Sequence, residues 1–219
     1  MWALVESDNV TQVYTRPKGL TIGEVNYPSN IFMLWSSSEL EAIGIYEIVI
    51  NNSNLKDKKY YINTNQSFAF ADGTVTATYG TATAIAIADT LYTAQDVTDD
   101  VYPEGHADAG DRINTWSEGE VKTLGLKTNY KATINQQAGG VLQDTDWMVV
   151  RAAEGGTAVP SAITTWRAAV RTKANAMCTA IGNAANVDAL AALYAYVNTG
   201  TEESPVMERP LGEFPILGA

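Results

Sequence analysis

Three arginines, Arg151, Arg167 and Arg171, are the side chains best placed to do chemistry, because guanidinium groups on neighbouring helices can form an anion site. The same three can instead pair with Asp144, Asp146 or Glu154 and fix the order of the helices, and that role is the one expected. Other reactive sets are sparse. A serine–histidine–carboxylate triad would have to use the single histidine, His106. It lies between glycine and alanine in a breaker-rich stretch, and no Gly-x-Ser-x-Gly turn occurs, so a solvated loop residue is expected. One histidine and one cysteine do not make the usual zinc sites. Asp96, Asp99, Asp100, Glu104, Asp108 and Asp111 offer oxygens to calcium but lack the Asp-x-Asp-x-Asp-Gly spacing, which leaves a solvated acidic loop. No spacing singles out a glycosidase carboxylate pair. Neither Gly139-Gly140 nor Gly155-Gly156 is followed by the Gly-Lys-Ser/Thr of a phosphate loop. No catalytic residue, metal ligand or cofactor is therefore assigned, and the chain is not expected to be an enzyme.

The elements that position the arginines lie in Thr145–Asn175. Thr145 is expected to cap a short helix, with Asp146 placing negative charge at its positive end. Trp147 opens the apolar run Met148-Val149-Val150, and Gly155-Gly156 ends the segment because glycine adopts the left-handed C-cap conformation freely. Pro160 and Ser161 open the next helix. There Ile163, Trp166, Val170, Met177 and Ile181 recur at helical spacing, so one stripe faces a partner. Trp147 and Trp166 are expected to wedge between helices as core residues. Cys178 lies near this stripe and reads as a small inert core residue.

The organisation changes near residue 90. Residues 1–88 read as a β-rich domain. Trp2–Glu6 and Val10–Thr15 flank the hairpin signal Ser7-Asp8-Asn9. Leu20–Tyr27 offers a further strand or two around Gly23, and Ile31–Trp35 is a short apolar run. Ser36 and Glu39 form a capping box for a short helix over Ser37–Ile43, stopped at Gly44. Ile45–Ile50 reads as a buried strand, Lys59–Asn63 and Ser67–Ala71 as strands, and Asp72-Gly73 as a turn into Thr74–Tyr79. Residues 89–116 read as an acidic loop or linker. Residues 117–198 read as a helical domain: a helix from Ser117 to about Leu142, the two helices above, and a short one over Val187–Val197 after Asn186. Short connections imply an antiparallel bundle or hairpin. In the tail, 199–219, Pro205, Pro210 and Pro215 forbid a helix, while Phe214, Ile216 and Leu217 must bury themselves on their own domain or on a neighbouring subunit. The fold class expected is α+β.

Composition limits function further. The 219 residues are 46% hydrophobic and 18% charged, enough for a packed core. A net charge of −11 disfavours nucleic acid and anionic membranes as partners. A single cysteine excludes an internal disulfide. No apolar run is long enough to span a bilayer, and MWALVESDNV is not a secretory signal, so synthesis in a cytoplasm is expected.

The segment Val121–Tyr194 resembles the C-terminal helical region of small tail-associated proteins of tailed bacteriophages, of the tail-fibre and tail-assembly type. Leu142, Thr145-Asp146-Trp147, Arg151, Pro160, Trp166-Arg167 and Val170-Arg171 carry the likeness. Trp2–Tyr46 is similar to such proteins from marine or cyanobacterial phages, through the opening hairpin, Tyr27-Pro28, Ile31-Phe32, Trp35, Glu39-Leu40 and Gly44-Ile45-Tyr46. The resemblance implies a non-enzymatic structural protein of the tail, attached to fibre or baseplate. Other phage tail proteins would be its partners, within a homo-oligomer or larger assembly in the virion. Thr145, Asp146, Trp147, Arg151, Trp166, Arg167, Arg171, Phe214, Ile216 and Leu217 are then its structural and interaction residues. A tail-assembly chaperone that leaves before maturation is the alternative, and a receptor- or glycan-binding module a weaker one. The large β part, the acidic loop and the Pro-rich tail depart from the shorter chaperone pattern and favour a virion component.

Overall fold

Two hairpins begin the chain in the computed structural model, which describes residues 1–218. Strands β1 (Trp2–Glu6) and β2 (Asn9–Tyr14) pair antiparallel across Ser7-Asp8. Both turn residues have positive φ, 50° and 62°, the backbone that a two-residue hairpin with the right twist requires. Strands β3 (Leu20–Ile22) and β4 (Val25–Tyr27) make the second hairpin around Gly23. Helices α1 (Ile31–Leu34) and α2 (Ser37–Glu41) come next. The capping box of α2 forms as predicted: Ser36 Oγ accepts from the Glu39 N–H, and the Glu39 carboxylate accepts from the Ser36 N–H at 2.8 Å. The helix ends at Glu41 and a turn runs to Gly44, two residues short of the expected Ile43.

Strands β5 (Ile45–Asn51), β6 (Tyr61–Ile62), β7 (Gln66–Ala71), β8 (Thr74–Tyr79) and β9 (Thr83–Ala84) complete the first unit, Met1–Ala84. The main sheet has the order β2-β1-β5-β8-β7 and is antiparallel except for the parallel β5–β8 pair. An apolar cluster lies on each of its faces. Leu4, Tyr14 and Ile45 pack under Leu20, Ile31, Phe32 and Leu40 of the covering hairpin and helices. On the other face Ala3, Ile48, Val75 and Ala77 pack with Phe68 and Phe70, inside a curl that brings edge strands β2 and β7 near each other. The expectation of a wholly buried Ile45–Ile50 is corrected: Ile45 and Ile48 are buried, but Val49 and Ile50 are exposed. Pairing with β1 stops at Glu47, so the end of β5 has β8 alone for a neighbour.

The second unit, Ile85–Ala219, takes the acidic stretch into its structure. The residues expected to form a linker contain strand β10 (Thr90–Leu91) and helix α3 (Ala94–Asp99). Thr93 and Asp96 form a second capping box at α3. The acids engage one by one. Asp89 accepts from the Gly125 N–H at 2.7 Å, Asp96 pairs with Lys122, and buried Asp100 accepts from both the backbone and side chain of Asn114.

Strand β11 (Val121–Thr123) pairs with β10, and helix α4 spans Leu126–Gln143. The predicted start at Ser117 is therefore corrected. Residues Ser117–Glu120 form a turn, Val121 is an exposed strand residue, and the chain enters α4 through Gly125. There the Leu126 and Lys127 N–H groups bond to the carbonyls of Ala86 and Ile87. A Cβ on residue 125 would lie 2.3 Å from the Ala88 backbone, so this crossing needs glycine. Helices α5 (Asp146–Ala153), α6 (Ser161–Asn183) and α7 (Val187–Tyr194) lead to the short ribbon β12 (Val197–Asn198) and β13 (Met207–Glu208). Helix α7 starts as predicted, with Asn186 accepting from the Ala189 N–H, but stops before Val197, which β12 claims.

Helices α4 and α6 run antiparallel, with Leu142 against Arg167 at one end and Lys131 and Asn135 against Cys178 at the other. Leu126, Ile134 and Ala138 of α4 and Val170, Ala174, Met177 and Ile181 of α6 are buried. Of the predicted stripe, Ile163 and Trp166 are half-buried; Cys178 is also half-buried, with its Sγ 3.7 Å from Asn135 Oδ1. The architecture is α+β, as expected.

Candidate functional site

The corner between α4 and α5 is built around Thr145. The last carbonyls of a helix have no partner within it. Leu142 O receives the N–H groups of Asp144 and Thr145, the Thr145 hydroxyl at 2.9 Å and the Arg167 guanidinium at 2.9 Å. The capping role expected of Thr145 at α5 is corrected: its hydroxyl donates backward to α4 and accepts from Arg167 Nη1 at 2.5 Å. The residue is buried, with a backbone already turned towards helix. Asp146 does occupy the first turn of α5, and its carboxylate takes Arg167 Nη2 at 2.7 Å.

Arg167 therefore sits where the negative end of α4 meets the positive end of α5. A cation and a carboxylate each lie at the helix end that favours them. The Arg167 residue is 9% exposed, so its bond to buried Thr145 forms out of water, while Asp146 meets it from the solvent side. Of the pairings expected for the three arginines, this one forms. Arg171, one turn on, is exposed and makes no ion pair among the described residues. Arg151 lies with its guanidinium carbon 4.8 Å from the centre of the Trp147 ring. Its Nε is buried without a hydrogen-bond partner among the described residues.

Helix α5 closes as the glycine pair predicts. Gly155 has φ +85°, its N–H bonds to Ala152 O, and the Gly156 N–H bonds to Arg151 O at 2.9 Å. The expectation of a core Trp147 is corrected. The residue is 54% exposed, and α5 buries no residue at all. Trp147, Val149 and Val150 are all exposed, so no side of this apolar run is packed away from solvent. Trp166 is half-buried, and its indole N–H donates to Pro215 O at 2.9 Å.

That bond pins the tail. Leu211, which carries no sequence signal of its own, is its anchor: the side chain is buried and the N–H bonds to Leu193 O at 3.0 Å. Arg209 clamps Glu213 with two nitrogens at 2.7 Å, and Glu213 also accepts from Tyr196. That last bond raises the Tyr196 phenol above its ordinary range. The burial expected of the three tail residues is met in part by Phe214 alone. Ile216 is 77% exposed and Leu217 44% exposed, because both lie beyond the last tether.

A cavity of about 250 Å³ opens beside Arg167. Val149 and Val159 supply aliphatic wall, Thr164 a hydroxyl, and Arg167 and Arg171 cationic edges. Such a site can hold an aliphatic side chain while a guanidinium bonds to an accompanying carbonyl or carboxylate. Elsewhere, His106 stacks on Tyr102 at 4.2 Å, and its Nδ1 accepts from the Asp108 N–H. No three histidines, cysteines or acids are grouped to hold a metal ion among the described residues. No helix among them is long and apolar enough to cross a membrane. The chain matches no family model, no curated protein and no solved structure.

Proposed function

We propose that the chain is a structural component of a bacteriophage tail, fibre- or baseplate-attached, that assembles through protein–protein contacts. The supporting observation is the apolar surface left open on α5 and the tail end, Trp147 with Val150 and Ile216 with Leu217. Contiguous exposed apolar side chains of this kind mark surfaces that a partner covers. The placement in a phage tail rests on the sequence resemblance and extends this physical reading. Mass spectrometry of purified particles of the encoding phage tests it. The chain is expected at a stoichiometry typical of tail subunits, and its absence from mature particles would reject a virion role. A soluble complex in the lysate with nothing in the particle would establish the alternative, a tail-assembly chaperone, for which the open α5 surface is the transient contact.

A further inference from the structure

We infer that the cavity between α5 and α6 receives the tail end of a second copy of this chain, Ile216 and Leu217 entering between Val149 and Val159. The inference rests on the assembly reading above and deepens it by naming the occupant.

The tail end does not fill the cavity of its own chain. Thr164, Arg167 and Arg171 line the cavity from positions i, i+3 and i+7 of α6, one stripe of that helix. Trp166, which holds the tail at Pro215, projects roughly 130° away from that stripe at 3.6 residues per turn. Ile216 and Leu217 stand in solvent, and neither lines the cavity, whose apolar walls stand open.

Charge agrees with this occupant. Residues 199–219 carry Glu202, Glu203, Glu208 and Glu213 against a single cation, Arg209. The cavity rim offers Arg171 without an ion pair among the described residues. Exposed apolar side chains and backbone carbonyls of such a segment match aliphatic walls edged by guanidinium donors. Each copy carries both a donor end and an acceptor cavity, so a two-fold pair makes the contact twice.

Sedimentation velocity of the full chain tests this. The wild type is expected to show a concentration-dependent species of twice the 23.6 kDa chain mass. The double variant Ile216→Asp, Leu217→Asp and the cavity variant Val149→Asp change exposed positions. Each should sediment as the single chain with an unchanged far-ultraviolet spectrum. Mixing the two should restore a mixed pair, because one intact tail end and one intact cavity remain. A labelled peptide of residues 210–218, tracked by anisotropy, should bind the tail variant and fail to bind Val149→Asp, which keeps the test valid should self-association of either variant be obscured. A wild type that stays single at every concentration, a pair that survives either variant, or a peptide that ignores Val149→Asp would overturn the inference. Finding or missing the chain in phage particles bears on the tail placement alone, so the two readings fail separately.

Discussion

The Arg167 corner and the Trp147 face lie on adjoining turns of the same segment, yet they are opposites. At the corner a cation is enclosed and spends its hydrogen bonds on Leu142, Thr145 and Asp146. On the face Trp147 and Val150 remain in reach of solvent, with the Arg151 guanidinium beside the ring. A guanidinium beside an aromatic ring is thus not a sign of one role. The arginine that meets two helix ends fixes the architecture, whereas its neighbours are free to meet something else.

The contrast can be broken or sharpened by substitution. Met177→Ala removes a fully buried side chain from α6 and should cost about 2–5 kcal/mol in urea unfolding, the upper reference for anything in this unit. Arg167→Ala should cost about 2–4 kcal/mol, because it strips three bonds and leaves Thr145 buried with one partner fewer. A loss near zero would mean that the corner is held by packing alone. Trp147→Ala should cost less than about 1 kcal/mol, since the exposed ring loses a cation contact and little burial. The same indole should be readily quenched by iodide, and a shielded one would erase the contrast.

The smallest effect concerns pH. Lys122 and the Thr93 capping bonds hold the Asp96 carboxyl down at about 2, and the carboxylate in turn raises the Lys122 ammonium. A lowered acid contributes stability above its unfolded value of about 3.9 and loses it as pH falls through the folded one. The raised Lys122 works the other way: its share is present below its unfolded value and is lost as pH rises through the folded one. Asp96→Asn should therefore flatten the stability profile between about pH 4 and pH 2. An unchanged slope there would show that the pair is fully screened by water.

Local chemistry made the first unit readable. Ser36 and Glu39 predict a capping box because the bonds run between residues three apart, and Asp72-Gly73 predicts a turn because few residue pairs accept its backbone. The Thr93–Asp96 box carried the same kind of signal inside the stretch read as a linker; the six other acids of that stretch masked it. Ser117 misled because a serine can cap a turn as well as a helix, and Gly119 and Gly125 turn the chain before a helix can start. In the candidate site, pairing of an arginine with one of Asp144, Asp146 and Glu154 was legible from the residue types, but the choice of Arg167 with Asp146 was not, since it depends on where the two helix ends meet. The exposure of Trp147 was not, since burial of a residue on an eight-residue helix is decided by what packs on it. Leu211 escaped notice for the same reason: its neighbours Pro210 and Gly212 announce a turn and say nothing of the space that the side chain fills.

The parallel pairing of β5 with β8 carries a consequence for synthesis. The ribosome delivers the first hairpin and then β5, whose apolar strand finds β1 at once but waits for its other neighbour until residue 79 has emerged. During that interval the far edge of Ile45–Asn51 is an open template for strand addition by nascent copies on the same message, and a slow stretch of translation there would favour aggregates over product.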